Sequence, residues 1–317
     1  MAEVTVILPL YNKARCITRA LDSVLNQTIQ NFEIIVVDDG STDESAQIVG
    51  KINDPRLRLI RQANAGPGAA RNRGLAESRS KYAAFLDADD EWLPGFLETN
   101  LTSLKDHPDC AAVFCRNLQG VEKVPCSAPP GIQLPEGQWR LPVDFRPAPL
   151  NAIIASAVPS VFCARQPVVD LGGFYEDNCR FGEDIFLWLL VCLNHPIYLE
   201  PAALVVYHTE DSGLNWYHTT KNKFNAIGQV AKRPLNAWLL APDRIREKCP
   251  ADYKPLLESF LAYDALSEAN TRSSNGDAET ARALARQYRQ MNSFRWDYAK
   301  LRLKLSFPKA KALVRRN

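Results

Sequence analysis

Short apolar runs alternate with stretches of helical periodicity through the first third of the chain. The apolar runs have the length of strands, and most are rich in β-branched residues. They predict four strands, at residues 4–8, 33–37, 57–60 and 82–86. Between the first two runs, apolar residues from 14 to 26 recur at helical spacing and form one face. This alternation predicts an α/β fold in which helices flank a mainly parallel central sheet.

Local sequence marks three further helix starts. Ser41 and Glu44 match a capping box, with Ser41 as the N-cap residue of a helix that begins there. Pro67 precedes an alanine-rich stretch, and proline is well tolerated in the first turn of a helix. Gly182 and two acidic residues precede the apolar stretch 185–191, which predicts a third helix.

The predicted strands are followed by a proline, a tyrosine and several acidic residues. The candidates for a site are, in chain order, Pro9, Tyr11, Asp39, Asp87 and Asp89. Ligands in open α/β sheets bind beyond the carboxyl ends of the strands, so these residues are expected to converge. Side chains two positions apart in an extended segment project from one side, and two carboxylates placed so favour a hard divalent ion. The alternative is a strand that ends in a solvated acidic turn.

The chain lacks the common glycine-rich phosphate loops. Neither GxGxxG nor GxxxxGK[ST] occurs, which argues against a dinucleotide or P-loop cradle. An acidic nucleotide site instead suggests a metal that bridges the phosphates, with carboxylates that contact the base or ribose.

Four motifs in this region resemble those of the family 2 glycosyltransferases of GT-A (Rossmann-like) fold. They are VILPLYN at 6–12, VVDDGSTD at 36–43, AGPGAARN at 65–72 and FLDADD at 85–90. The resemblance continues more loosely through LGGF at 171–174 and GEDIFLW at 182–188. Members of this family are inverting, metal-dependent enzymes that use nucleotide-sugar donors, and the resemblance implies the same for this chain.

The resemblance also implies a donor site. Pro9 and Tyr11 would lie against the base, and Asp39 would accept a hydrogen bond from a uracil-like N3–H. Arg71 would approach the base or the diphosphate, and Asp87 would contact the ribose. Adenine has no ring N–H of this kind, so a carboxylate acceptor favours a pyrimidine imide and hence a UDP-sugar.

By the same resemblance, Asp89 would bind the divalent metal, Mn²⁺ or Mg²⁺, directly, and Asp87 would share its coordination. His208 follows the predicted strand 202–207 and would complete the metal site, with a structural histidine as the alternative.

On the acceptor side, Asp184 would be the general base that deprotonates the acceptor hydroxyl. Glu183 and Trp188 would contact the acceptor. The alternatives are plain helix capping for the acids and a core position for Trp188.

We predict three segments. Residues 1–105 form the nucleotide-sugar-binding half of the GT-A domain, 106–235 its acceptor-binding and catalytic half, and 236–317 a helical C-terminal extension with a basic tail. Prolines throughout 117–159 predict irregular binding loops, or alternatively a surface insertion. Apolar positions within 256–266 and 278–288 predict a helical hairpin.

Charge and composition restrict the cellular setting. The 38 basic and 36 acidic residues give a net charge of +2, yet residues 295–317 hold eight Lys or Arg and one Asp, a net of +7. We expect a peripheral contact of this tail with an anionic membrane, the alternative being a solvated tail. The chain shows no secretory signal, no apolar run of the roughly 20 residues that span a bilayer, and no disulfide-like cysteine pattern. It is therefore expected to be cytoplasmic, on the inner face of the membrane where the tail binds.

These patterns predict an enzyme that transfers one sugar from a nucleotide-sugar to a hydroxyl of a glycan or lipid-linked glycan. The QxxRW motif of processive family members is absent, which favours single transfer in cell-surface polysaccharide or glycoconjugate synthesis. Nothing in the sequence suggests a nucleic-acid partner. The alternatives are a nucleotidyltransferase and a catalytically silent nucleotide- or carbohydrate-binding module.

Overall fold

The computed structural model describes residues 2–125, 135–147, 150, 153–154, 161–177, 179, 182–208, 211, 235–288 and 300–301. The basic tail beyond 301 and parts of the proline-rich segment lie outside these residues, so the predictions made for them stay predictions. No helix in the described ranges is both long enough and apolar enough to cross a membrane.

Strands and helices alternate in the first part of the chain. They are β1 (Val4–Leu10), α1 (Ile17–Leu25), β2 (Phe32–Asp38), α2 (Ser45–Gly50), β3 (Leu57–Arg61), α3 (Pro67–Glu77), β4 (Tyr82–Phe85), β5 (Glu91–Trp92) and α4 (Phe96–Asp106). The four strands predicted from the apolar runs are confirmed as β1 to β4.

The second part combines further strands with a helical region. The elements are β6 (Ala112–Gln119), β7 (Val124–Pro125), β8 (Gly137–Trp139), β9 (Val161–Ala164), α5 (Arg165–Asp170), α6 (Glu183–Asn194), β10 (Ile197–Tyr207), α7 (Ala237–Leu240), α8 (Pro242–Lys248), a 3₁₀ turn (Ala251–Tyr253), α9 (Lys254–Ser274) and α10 (Ala278–Gln287). The predicted C-terminal hairpin is confirmed as α9 and α10.

The strands form one mixed sheet in the order β3-β2-β1-β4-β9-β6-β10-β5. Outside this order, β7 pairs with β6 and β8 pairs with β10. The pairs β1–β2, β1–β4, β2–β3 and β6–β10 are parallel, whereas β9 runs antiparallel to both β4 and β6. Parallel pairing of β1 to β4 follows from the helices that connect them. The predicted α/β architecture is therefore confirmed.

Apolar side chains cover both faces of the sheet. Along β1, Val6 and Leu8 point into one core cluster with α1 and α4, whereas Ile7 points into the other. The apolar faces of α6 and α9 belong to the same cluster as Ile7. Strands buried on both faces explain the nearly continuous apolar runs in the sequence.

The predicted helix start at Ser41 is wrong. Helix α2 begins at Ser45, and Glu44 is its N-cap residue. The hydroxyl of Ser41 accepts a hydrogen bond from the amide of Asn12 at 3.1 Å. Its own amide donates to Asp38 at 3.0 Å. Ser41 is therefore used to join two loops and does not cap the helix.

Candidate active site

The ends of β1, β2 and β4 lie side by side at one edge of the sheet. In the parallel register, Leu10 stands opposite Asp38 and Ile7 opposite Phe85. The amide of Asp39 donates to the carbonyl of Leu10 at 2.8 Å, so the first two loops leave the sheet together. This edge, to which we refer as the carboxyl edge, is where the sequence placed the site.

Pro9 and Tyr11 stand at the end of β1. Pro9 is half-buried in the strand, whereas Tyr11 directly after it is 46% exposed. An exposed aromatic ring at this edge offers an apolar face on which a planar base can stack.

Asn12 fixes the course of the loop after Tyr11. Its backbone has φ of +52°, a left-handed conformation that asparagine tolerates better than most residues. Its side-chain oxygen accepts a hydrogen bond from the amide of Thr42 at 2.8 Å. This contact joins the loops after β1 and β2. It gave no signal in the sequence because the partners lie 30 residues apart.

The carboxylate of Asp39 holds the segment that leads into α3. Oδ1 accepts hydrogen bonds from the Gln62 side chain at 2.8 Å and the Ala65 amide at 2.9 Å, and Oδ2 accepts one from the Gly66 amide at 2.8 Å. A carboxylate offers about four acceptor positions, so these three bonds leave one on Oδ2 for a ligand N–H. The role predicted for Asp39 is therefore compatible with its structural one.

Arg71 connects the acidic end of β4 with the start of α6. Nη2 donates to Asp87 Oδ1 at 2.6 Å, and Nη1 donates to Glu183 Oε1 at 2.7 Å. Its guanidinium also lies 5.3 Å from the ring centroid of Phe174. Burial opposes the charge on Arg71, but the two carboxylates outweigh that effect and raise its pKa. Arg71 is therefore a permanent cation between the two acidic segments.

A glycine permits this close approach of α3 to the start of α6. A Cβ atom on Gly68 would lie 2.4 Å from the carbonyl oxygen of Tyr175 and 3.2 Å from Cγ of Glu183. Any larger residue at position 68 would push α3 away from the start of α6 and lengthen the contact between Arg71 and Glu183.

Asp184 lies in the first turn of α6, beside the Arg71–Glu183 pair, and is partly exposed. Burial, followed by the charge of Glu183, raises its pKa to about 7, although Arg71 acts in the opposite direction. A carboxyl group that is half ionised near neutral pH is well matched to accept a proton from a hydroxyl. This property fits the predicted general base.

Asp89 is held by two cations that the sequence analysis did not assign to the site. Lys13 Nζ lies 2.5 Å from Asp89 Oδ2, and Arg19 donates to the Asp89 carbonyl at 2.5 Å. Burial, followed by the charge of Asp87, raises the pKa of Asp89, and Lys13 opposes that rise. The only available signal was the position of Lys13, two residues after Tyr11 in the first motif.

Asp90 and His208 form a separate contact behind these residues. Asp90 is fully buried, and its Oδ1 accepts the amide proton of His208 at 3.1 Å. Burial and the charges of Asp89 and Asp87 raise the pKa of Asp90 well above its ordinary value. The His208 imidazole is 4% exposed, and its Nε2 lies 3.3 Å from Glu91 Oε2. Its predicted role as a metal ligand stays a prediction.

The carboxyl edge fits a divalent ion in its chemistry. Among the described residues no three His, Cys, Asp or Glu side chains form a preassembled metal-binding group. Asp87 and Asp89, however, supply the carboxylate oxygens that hard ions prefer, and their mutual repulsion is relieved by a cation. Their ion pairs use Oδ1 of Asp87 and Oδ2 of Asp89. The pair therefore suits an ion that takes its remaining ligands from a bound diphosphate.

Trp188 is not available to an acceptor. It is 1% exposed, and its ring packs 5.7 Å from Phe174 and 5.9 Å from both Phe85 and Phe114. The prediction that Trp188 contacts the acceptor is wrong, because its side chain is buried in the core. Glu183 is 4% exposed and paired with Arg71, so its acceptor contact stays a prediction.

Comparison with known proteins shows that part of this chain is similar to glycosyltransferases. Residues 5–157 match the family described as Glycosyl transferase family 2. Over 119 residues the chain is 44% identical to the uncharacterized glycosyltransferase YibD of Escherichia coli strain K12, an alignment that covers 36% of this chain and 35% of YibD. The chain thus matches about a third of the length of that curated relative.

Solved structures share the fold over nearly the whole chain. TarS 1–349 of S. aureus, in complex with UDP-GlcNAc, superposes with a TM-score of 0.56 at 20% identity and covers 92% of each chain. The mannosyltransferase PcManGT of Pyrobaculum calidifontis, in complex with GDP-Man and Mn²⁺, gives a TM-score of 0.54 at 20% identity, over 97% of this chain and 88% of that one. The matched motifs, the GT-A type of fold and the acidic carboxyl edge are all consistent with the family match. Residues 5–157, slightly less than half of the chain, thus match glycosyl transferase family 2.

Proposed function

We propose that the protein transfers one sugar from a nucleotide-sugar to an acceptor hydroxyl, with inversion at the anomeric carbon. The favoured donor is a UDP-sugar. The observation that carries the proposal is the Arg71 bridge, which brings Asp87 of the strand end against the start of α6. It sets a donor and metal site beside Asp184, a carboxyl group with a pKa of about 7.

The donor binds at the carboxyl edge. The exposed ring of Tyr11 stacks on the base, with Pro9 beside it, and the open acceptor position on Asp39 Oδ2 receives the N3–H of uracil. Guanine carries a comparable ring N–H, so a GDP-sugar satisfies the same acceptor. TarS and PcManGT, with UDP-GlcNAc and GDP-Man, support the two donor classes.

Asp87 and Asp89 would hold the metal, Mn²⁺ or Mg²⁺, and His208 would be a third ligand that is not preassembled with them. When bound, the ion neutralises negative charge on the diphosphate leaving group. Asp87 also contacts the ribose, and Arg71 adds a fixed positive charge near the diphosphate. The Mn²⁺ in the PcManGT complex supports a divalent ion in this chain.

Asp184 removes the proton from the acceptor hydroxyl while the oxygen of that hydroxyl forms a bond to the anomeric carbon of the donor sugar. The bond from that carbon to the diphosphate breaks on the opposite side, so the configuration inverts. Glu183 fixes the start of α6 through Arg71 and borders the acceptor side. The acceptor is a glycan or lipid-linked glycan, in cell-surface polysaccharide or glycoconjugate synthesis on the cytoplasmic side, where the basic tail contacts anionic lipid.

The test is nucleoside diphosphate release. The protein is incubated with Mn²⁺, a panel of UDP- and GDP-sugars and glycan acceptors, and diphosphate release is followed. We expect Asp184→Asn to keep donor binding and lose transfer, because the amide cannot accept the proton. Asp89→Ala should lose metal-dependent UDP binding.

Release of diphosphate by Asp184→Asn at the wild-type rate would remove the base from the proposal. Binding of donor without any turnover by the wild type would instead favour a silent binding module. Release of pyrophosphate from a nucleoside triphosphate and a sugar phosphate would indicate a nucleotidyltransferase.

A further inference from the structure

Lys13 makes an ion pair that the proposed reaction does not use. Its ammonium group lies 2.5 Å from Asp89 Oδ2 and donates to the carbonyl of Asp211 at 2.9 Å. The two side chains of the ion pair are only 21% and 14% exposed, for Lys13 and Asp89 respectively. The backbone amide of Lys13 donates to the hydroxyl of Ser45 at 2.8 Å, which anchors the residue in the loop after β1. The position of the ammonium group is therefore set at both ends of the residue.

This ammonium group and a divalent cation would compete for the same carboxylate. Asp89 is the proposed metal ligand, and its Oδ2 is bonded to Lys13. Two cations on one carboxylate repel each other strongly in a partly buried site. The metal must therefore either displace Lys13 or bind against its charge, unless further negative charge enters with it.

We propose that Lys13 is an internal counterion of Asp89 that weakens binding of the metal alone and makes tight metal binding depend on the donor diphosphate. The diphosphate supplies the negative charge that both the metal and the released ammonium group require. Metal and nucleotide then bind cooperatively, and by linkage each increases the affinity of the other by the same factor. This inference rests on the proposed metal and nucleotide site.

Arg19 provides a matched control. It carries the same charge in the same neighbourhood, but its Nη2 donates to the backbone carbonyl of Asp89 and to Asp211 Oδ2 at 2.8 Å. Its removal lowers the local positive charge without freeing the Asp89 carboxylate. A difference between the two variants therefore measures competition for that carboxylate and not general electrostatics.

The experiment measures the Kd for Mn²⁺ by electron paramagnetic resonance, with and without UDP, in the full chain. We expect Lys13→Met to bind Mn²⁺ alone about five-fold or more tightly, and to lose most of the improvement that UDP gives the wild type. Arg19→Met should show a smaller gain and keep the UDP effect. Lys13→Arg, which retains the charge, should resemble the wild type, and thermal unfolding checks that each variant is folded.

The outcomes separate this inference from the proposed function. The inference alone is overturned if the wild type binds both Mn²⁺ and UDP but Lys13→Met binds Mn²⁺ no more tightly than Arg19→Met does. A wild type that binds neither probe overturns both. Tighter Mn²⁺ binding in Lys13→Met with a reduced UDP effect supports the inference, and loss of a structural contact does not explain such a gain.

Discussion

Arg71 donates a 2.7 Å hydrogen bond to Glu183 across 112 residues of sequence, and both side chains are almost fully buried. The same guanidinium pairs with Asp87. One cation thus joins the segment after β4 to α6, the helix that carries Asp184. Arg71 therefore contributes to stability and also acts on the proposed base, because its charge opposes the raised pKa of Asp184.

Replacement of Arg71 by Met should therefore have two effects. It leaves Glu183 buried without its partner, which should lower the free energy of unfolding by about 3–5 kcal/mol in denaturant titrations. It also removes the charge that holds the pKa of Asp184 down, so the acid limb of the pH–rate profile should move to higher pH. Unchanged values of both quantities would contradict the role assigned to this bridge.

The matched control is Arg73→Met in the same helix. Arg73 is 51% exposed and pairs with Glu77 at 2.9 Å, one helical turn away. Exposed pairs of this kind contribute about 0.2–0.5 kcal/mol, so its unfolding free energy should change little and its pH profile not at all.

The pKa of Asp184 predicts a pH dependence of both transfer and stability. The base must be ionised, so kcat/KM, which reports ionisation of the free enzyme, should rise with pH to half its maximum near pH 7. Because its pKa in the folded protein is raised from 3.8 to about 7, the folded state binds more protons than the unfolded state between these values. The free energy of unfolding attributable to this group therefore falls as pH rises from about 4 to 7.

Asp184→Asn removes this titration. The variant should become progressively more stable than the wild type between pH 4 and pH 8, as followed by thermal unfolding at several pH values. A constant difference across that range would show that the Asp184 pKa is not raised.

The sequence could predict the strands, the carboxyl edge and the acids there because each is a local pattern. Asp39, Asp87 and Asp89 lie within four residues of a strand end, and Asp184 lies in the first turn of a helix, so local rules identify these positions. The roles of Lys13 and Arg71 depend on contacts across 76 and 112 residues, which periodicity does not encode. Trp188 was ambiguous because an apolar helix does not reveal which side faces the core.

Gly182 and Trp238 form a second contact that positions the start of α6. Gly182 has φ of +77° at the N-cap of α6, and a Cβ atom there would lie 2.9 Å from Cζ3 of the Trp238 ring. Trp238 is in turn held by a 2.8 Å hydrogen bond from its Nε1 to Asp264 of α9. The Trp238 ring of α7, held by Asp264 of the C-terminal hairpin, thus packs against the backbone directly before Glu183.

Gly182→Ala should lower kcat by about ten-fold or more, because displacement of the base by even 1 Å is costly, with little change in Kd for UDP. In the background of Trp238→Phe, which shortens the ring, the same glycine change should cost less, whereas in the background of Trp139→Phe it should cost the same. Additive effects of Gly182→Ala and Trp238→Phe on kcat would rule out the coupling.

Removal of the charge should weaken metal and nucleotide binding at Asp89 but not at Asp90. Asp90 is fully buried, its pKa is raised well above the ordinary value, and its Oδ2 has no hydrogen-bond partner in the described part of the chain. Asp90→Asn keeps the shape of the side chain and the acceptor for the His208 amide, so it should preserve Mn²⁺ and UDP affinity within about two-fold. It should also stabilise the fold at pH 8, where burial disfavours the ionised acid.

Asp89→Asn, the same chemical change one residue earlier, should weaken metal-dependent UDP binding by about ten-fold or more, because it removes the charge of a proposed metal ligand. Calorimetric titration of both variants checks this, and equal losses of affinity would mean that Asp90 also binds the metal.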